Sequence, residues 1–227
     1  VVVTAQHRAM LDQVLAVAGI VPDHDLDMMQ PGQSLDALTA RLIVAIGQVL
    51  DAERPDRVIV QGDTTSAMAG ALAAHYRRIP VAHVEAGLRS GDMMQPWPEE
   101  ANRRIISVIA DLHFAPTENA AAALLRENVP ESCLVVTGNT VIDALLEMRA
   151  RIGREPGLAA GLDTIAERYE ENRVIAVTAH RRESFGQGMT DIAAALRRIA
   201  ARNGAERGAI FSVRFPALAV ELGMAAE

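Results

Sequence analysis

Along this chain, short runs of β-branched and other apolar residues alternate with stretches whose apolar positions recur every three to four residues. VVVTA (1–5) predicts a strand, followed by a helix from about His7 to Val17. The polar stretch PDHDLDMMQPGQ predicts a loop that leads to Ser34, whose hydroxyl suits an N-cap. From there Leu35, Leu38, Leu42, Ile46, Val49 and Leu50 recur at helical spacing, so a second helix is expected. RVIVQG (57–62), PVAHVEA (80–86), LHFAPT (112–117) and CLVVTG (133–138) read as strands. TTSAMAGALAAHYRR (64–78), EEANRRIISVIA (99–110), ENAAAALLREN (118–128) and TVIDALLEMRARI (140–152) read as the helices between and after them.

Strands that are apolar on both faces and separated by helices predict a parallel sheet covered on both sides, hence the α/β class. In such a sheet ligands are expected at the carboxyl ends of the strands. Residues 1–152 form the expected first domain. GREPGLAAGLDTIAERYEEN (153–172) is rich in Gly, Pro and charge and reads as a linker. A new strand, RVIAVTA (173–179), the loop HRRESFGQG and the helix MTDIAAALRRIAARN open a second unit over 173–227. About 24 residues follow Asn203, fewer than a complete doubly wound domain needs.

Composition narrows the function. At 227 residues and 50% hydrophobic content the chain is long enough for a substantial core. A formal net charge of −7, a pI near 5.4 and the lack of a basic block argue against a general affinity for nucleic acid or an anionic membrane. No apolar run reaches the length of a membrane span, and VVVTAQHR has no signal-peptide pattern. The single cysteine, Cys133, gives no sign of an oxidising compartment, so a cytoplasmic location and small-molecule partners are expected.

The polar clusters fall where strands end: Gln6-His7-Arg8, Gly62-Asp63-Thr64-Thr65, the stretch from Glu85 to Glu100, Gly138-Asn139-Thr140, and His180-Arg181-Arg182-Glu183-Ser184. Asp63, Thr64 and Thr140 also suit helix N-caps, and Glu99 and Glu100 suit a first helical turn, where the helix dipole favours negative charge. Glu85 ends an apolar strand, a position that calls for pairing or use; the plain alternative is a structural pair with Arg89. The His180–Ser184 loop ahead of a helix offers side chains and backbone N–H groups to an anion. Trp97, between Pro96 and Pro98, is expected to stiffen the loop that carries Glu99, with sugar stacking as the other reading.

The words TAQHRAMLDQVL, QGDTTSAMAG, HVEAGLRSGD, PWPEEANRR, TGNTVIDALL and TAHRRESFGQG, in this order over residues 1 to about 200, resemble the bacterial non-hydrolysing UDP-N-acetylglucosamine 2-epimerases. The resemblance implies a Rossmann-like fold of the glycosyltransferase-B type, interconversion of UDP-GlcNAc and UDP-ManNAc for cell-surface polysaccharides, and a homodimer in the full-length family. It places Asp63, Glu85 and Glu99 at the sugar as acid/base candidates. His180 and Arg181 are placed toward the nucleotide, Arg89 and Ser184 are further substrate-binding candidates, and Gln6 and His7 are placed in a second, regulatory UDP-GlcNAc site. It also implies that the family's first strand, with its Gly-Thr-Arg-Pro-Glu-Ala-x-Lys loop, and most of its second domain are not represented, so the 227-residue chain alone is expected to be inactive.

The C2 hydrogen of N-acetylglucosamine has no neighbouring carbonyl to acidify it, so epimerisation calls for elimination of UDP to 2-acetamidoglucal and re-addition. That route needs carboxylates able to act on two faces of the sugar and cationic groups at the departing pyrophosphate. It needs neither NAD nor a metal, and the sequence has no G-x-G-x-x-G fingerprint and no metal-ligand spacing, so no cofactor is expected. A glycosyltransferase of the same fold and a non-catalytic remnant are the competing readings.

Overall fold

The computed structural model describes residues 1–5, 8–30, 32–158, 167 and 187–202. The chain divides into two compact units, Val1–Asp143 and Ala144–Glu227.

In the first unit, β3 (Val58–Gln61), β4 (Val81–Val84), β5 (Leu112–Ala115) and β6 (Leu134–Val136) form one sheet in that order. All three pairings are parallel, with Val58 opposite Val81, Ala82 opposite Leu112, and His113 opposite Leu134. This is the arrangement the apolar runs predict. Their carboxyl ends share one rim, which brings Gly62, Glu85 and Thr137 to the same side of the sheet.

β1 (Val2–Val3) does not join that sheet. It pairs in parallel with β2 (His24–Asp25), inside the stretch expected to be a loop. Nothing apolar marks β2; backbone pairing makes it, because Val1 O accepts from Asp23 N–H and Val3 O accepts from Leu26 N–H. Arg8, at the start of α1 (Arg8–Ala18), fixes the same turn through ion pairs with Asp25 and Asp27.

The core lies where α2 (Leu35–Glu53) packs on α3 (Thr65–Tyr76), and α3 on α4 (Glu99–Ile109). Ser34 caps α2 as expected, accepting from Ala37 N–H at 3.4 Å. Leu38, Leu42, Ile46 and Leu50 form one stripe of α2 and bury against Ala67, Met68, Ala71 and Ala74 of α3. The alanines of α3 let the two backbones approach, and Val60, Val81 and Ile106 close the cluster from the sheet and α4. Cover is uneven, however: Ile59 is 67% exposed, so β3 is not buried on both faces as the pattern suggested.

At the amino end of the sheet, Arg57 makes a two-pronged contact with Asp111, 2.6 and 2.9 Å, joining the residues that lead into β3 and β5. α5 (Glu118–Arg126) is capped by Thr117, which accepts from Ala120 N–H at 3.1 Å. α6 (Thr140–Arg154) starts one residue earlier than an N-cap at Thr140 requires, and the side chain before it, Asn139, accepts from Val141 N–H through Oδ1 at 3.1 Å. In the second unit, Arg151 pairs with Glu155, and α7 (Gln187–Arg202) buries Met189, Ala193 and Leu196 along one stripe. The expected strand 173–179 lies outside the described residues. No helix among the described residues is long and apolar enough to cross a membrane.

Candidate functional site

Glu85 follows β4 directly and has a left-handed backbone, φ 67°. That conformation costs a non-glycine residue about 1 kcal/mol or more, and it turns the chain sharply off the sheet. Its carboxylate lies over the turn after β3: a Cβ built on Gly62 meets Glu85 Oε2 at 3.7 Å, and Gln61 Nε2 reaches the same oxygen at 3.4 Å. Among the described residues no cation pairs with it. Arg89, the expected structural partner, instead donates to Glu127 at 2.8 and 2.7 Å and to Ser107 Oγ at 2.8 Å. Those contacts hold the Glu127 carboxyl below its ordinary range.

Asp63, next to Gly62, does not cap α3; Thr64 does, accepting from Ala67 N–H at 3.2 Å. The Asp63 carboxylate is held by Arg103, with Nε at 2.9 Å and Nη2 at 2.5 Å, and its carbonyl accepts from Asn102 Nδ2 at 2.9 Å. Both partners come from α4, whose first residue is Glu99. Glu99 is partly exposed and has no ion pair among the described residues, whereas its neighbour Glu100 is fully buried.

Glu100 pins the loop before α4. It accepts from Ser90 N–H at 3.1 Å, from Arg103 Nη1 at 3.2 Å and from Arg104 Nε at 3.2 Å. Burial alone raises a carboxyl pKa, but here the Ser90 N–H and the two guanidinium groups outweigh it and hold the group in its charged form. This buried carboxylate thus ties the loop at Ser90 to α4, while Trp97 in the same loop is about half exposed.

Beneath the rim lies His83 of β4, fully buried, with Nε2 2.8 Å from Gly62 O. A carbonyl only accepts, so the proton sits on Nε2 and the bond fixes the turn that carries Asp63. Nδ1 has no partner among the described residues. Protonating it would bury an unsatisfied charge, and desolvation lowers the His83 pKa to about 4. His113, its neighbour across β5, is likewise buried and shifted down.

The structure thus gathers Asp63 and Glu85 at adjacent strand ends and ties α4, with Glu99, to the first of them. Gln6, His7, His180, Arg181 and Ser184 lie outside the described residues. Arg103 and His83 received no role from the sequence; the Glu100-to-Arg103 and Glu100-to-Arg104 spacings of three and four residues were the available signal for the α4 network. Among the described residues, no group of three His, Cys, Asp or Glu side chains is placed to hold a metal ion. Chemically, among the described residues, the rim offers two carboxylates, Glu85 and Glu99, without a cationic partner and a third, Asp63, clamped by arginine.

Comparison with known proteins places these features in a family. The family model described as UDP-N-acetylglucosamine 2-epimerase matches residues 1–216, past residue 200, where the resemblance was expected to end. The UDP-N-acetylglucosamine 2-epimerase of Salmonella typhimurium is 55% identical over 207 residues, covering 89% of this chain and 54% of that protein. The crystal structure of the Neisseria meningitidis UDP-GlcNAc 2-epimerase bound to UDP-GlcNAc superposes with a TM-score of 0.85 at 41% identity, over 96% of this chain and 59% of that one. The Methanocaldococcus jannaschii UDP-GlcNAc 2-epimerase, in complex with UDP-GlcNAc and UDP, gives 0.78 at 31% identity over 97% and 60% of the two chains. The chain spans about half the length of the curated relatives it matches. Its parallel α/β architecture is Rossmann-like, of the glycosyltransferase-B type. With the family model matching nearly all of its length, the chain belongs to the UDP-N-acetylglucosamine 2-epimerase family.

Proposed function

We propose that the protein carrying this chain interconverts UDP-GlcNAc and UDP-ManNAc, with the rim around Glu85 as its acid/base centre. One observation carries the reading: Glu85 is held in a left-handed conformation at the end of β4, with its carboxylate over Gly62 and no cation paired with it among the described residues. A carboxylate free of a cation is the one able to take up and return a proton. In the first half-reaction a carboxylate accepts the C2 proton, the C1–O bond to UDP breaks with its electron pair leaving on UDP, and a C1=C2 double bond forms. In the second, UDP oxygen bonds to C1 again and a proton is delivered to C2 on the opposite face.

Glu85 and Glu99 are the proton carriers in this scheme. Asp63, clamped by Arg103, positions the turn beside them and meets the sugar with its remaining acceptor capacity. Arg89, engaged with Glu127 and Ser107, shapes the loop on the nucleotide side. His180, Arg181 and Ser184 are assigned to the nucleotide, and Gln6 and His7 to a regulatory UDP-GlcNAc site. We further assign domains to residues 1–152 and 173–227, with 153–172 as the linker, and place the protein in the cytoplasm as a homodimer supplying cell-surface polysaccharide synthesis.

The test is to incubate the full-length protein with UDP-GlcNAc in D2O and follow UDP-ManNAc, free ManNAc, UDP and deuterium at C2. UDP-ManNAc carrying deuterium at C2 is expected. Release of UDP with neither UDP-ManNAc nor C2 exchange would mean sugar transfer or hydrolysis and would overturn the proposal.

A further inference from the structure

Gln61 closes β3 and lies opposite Val84, the last residue of β4, which places it one position from Glu85. Two bonds fix these strand ends to each other: Gly62 N–H donates to Val84 O at 3.0 Å, and His83 Nε2 donates to Gly62 O at 2.8 Å. The left-handed turn at Glu85 brings its carboxylate back over the end of β3, where Gln61 Nε2 lies 3.4 Å from Oε2. A carboxylate only accepts, so the glutamine amide presents its NH2 end and not its oxygen. Among the described residues, no other hydrogen bond reaches the Glu85 carboxylate.

The arginines of the rim are committed elsewhere: Arg103 to Asp63 and Glu100, Arg104 to Glu100, and Arg89 to Glu127. A guanidinium or ammonium beside Glu85 would favour its charged form and make it a poorer base. Glutamine supplies directional N–H donors with no net charge. The last torsion of a glutamate side chain is broad, so a carboxylate without a partner has no fixed plane. One N–H on Oε2 sets that plane and leaves Oε1 to take the proton. The 3.4 Å separation is longer than a relaxed amide bond, as hydrogen bonds of catalytic groups often are before substrate closes on them. Stability gives no reason for a glutamine here, because Gln61 is exposed and its pairing with β4 is made by the backbone.

We propose that Gln61 is a positioning residue for the reaction: its uncharged amide holds one oxygen of Glu85 and leaves the other free for the C2 proton of the sugar. The inference rests on the reading of Glu85 as a proton carrier. Gln61 acts through Glu85 and not on the bound substrate, so its contribution appears in the rate of proton transfer and little in affinity.

The test uses the full-length protein with UDP-GlcNAc as substrate. Gln61→Met keeps the length of the side chain and has no N–H, so kcat for UDP-ManNAc formation is expected to fall about tenfold, with KM within about twofold of the parent. Its Tm should stay within about 2 °C, as for other exposed positions. Gln61→His restores a neutral N–H donor and should bring kcat back to within about threefold of the parent. The contact is also read without turnover, from the side-chain amide protons of Gln61 by NMR: Glu85→Ala should move one of them upfield. A parental kcat in Gln61→Met, a loss carried wholly by KM, or a Gln61→His protein as slow as Gln61→Met would each overturn the proposal. If the parent itself forms no UDP-ManNAc, the reading of the reaction fails, and the amide resonance alone then decides whether Gln61 holds Glu85; resonances indifferent to Glu85→Ala overturn the contact.

Discussion

Asp63 and Arg103 meet across 40 residues of sequence, carboxylate to guanidinium, with Arg103 Nε 2.9 Å from Asp63 Oδ2. The same guanidinium reaches Glu100 through Nη1, so one side chain joins the turn after β3 to the buried start of α4. Arg103→Lys keeps the charge and loses the fork that spans both acids. It is expected to cost about 2 kcal/mol in denaturant unfolding. In a double-mutant cycle with Asp63→Asn, the coupling should be about 1 kcal/mol, and additive losses would show that the pair is not a working contact.

Glu85 separates chemistry from stability. Glu85→Gly relieves the left-handed strain, so its thermal midpoint should equal or exceed that of the parent by a few degrees, in line with about 1 kcal/mol of relief. Glu85→Gln keeps the strain and removes the proposed proton carrier, so in the full-length protein kcat should fall by about 100-fold or more, with KM little changed. A Glu85→Gly protein that melts clearly lower would mean that the Glu85 side chain, not its chemistry, holds the turn.

His83 gives the fold a pH dependence of known sign. Its folded pKa of about 4 lies below the ordinary 6.5, so between those values the unfolded chain binds a proton that the folded chain refuses. Stability from this group is therefore complete above pH 6.5, declines as the pH falls through the window, and levels off near pH 4. The loss is about 2 kcal/mol on going from pH 7 to pH 5. His83→Gln, which can still donate to Gly62 O, should flatten that decline when both proteins are unfolded with urea at the two pH values. An equal slope in the variant would assign the decline to His113 or to the carboxylates.

Gly87 has φ 88°, and a Cβ placed on it would sit 2.2 Å from Ala120 O at the start of α5. Neither the backbone region nor the space tolerates a side chain. Gly87→Ala should therefore cost about 3 kcal/mol, lowering the melting temperature by about 10 °C, the sum of overpacking and a left-handed alanine. A loss below about 1 kcal/mol would show that α5 moves aside easily.

The four-stranded sheet was legible because each strand is a β-branched or apolar run closed by Gly, Pro or a charge, and the helices because their apolar residues keep a helical period. β2 was not, since His24 and Asp25 carry no apolar signal and the strand exists only through its pairing with β1. At the site, Glu85 stood out as a charge ending an apolar strand. Its surroundings did not, because side-chain pairing is decided in three dimensions: Arg89, four residues away, turns to Glu127, 38 residues along the chain. Asp63 likewise finds Arg103 rather than a helix to cap. Only the Glu100 network, spaced by three and four residues on one helix, was readable in advance.

The contact between Arg57 and Asp111 fastens the sheet at the end remote from Glu85, bridging the entries to β3 and β5 on either side of β4. The contact shares no residue with the rim network of Asp63, Glu100 and Arg103. A rim substitution that breaks the Asp63–Arg103 pair or crowds Gly87 carries a cost of its own, yet it leaves the two strand entries joined at the far end, so damage at one end of the sheet need not spread to the other.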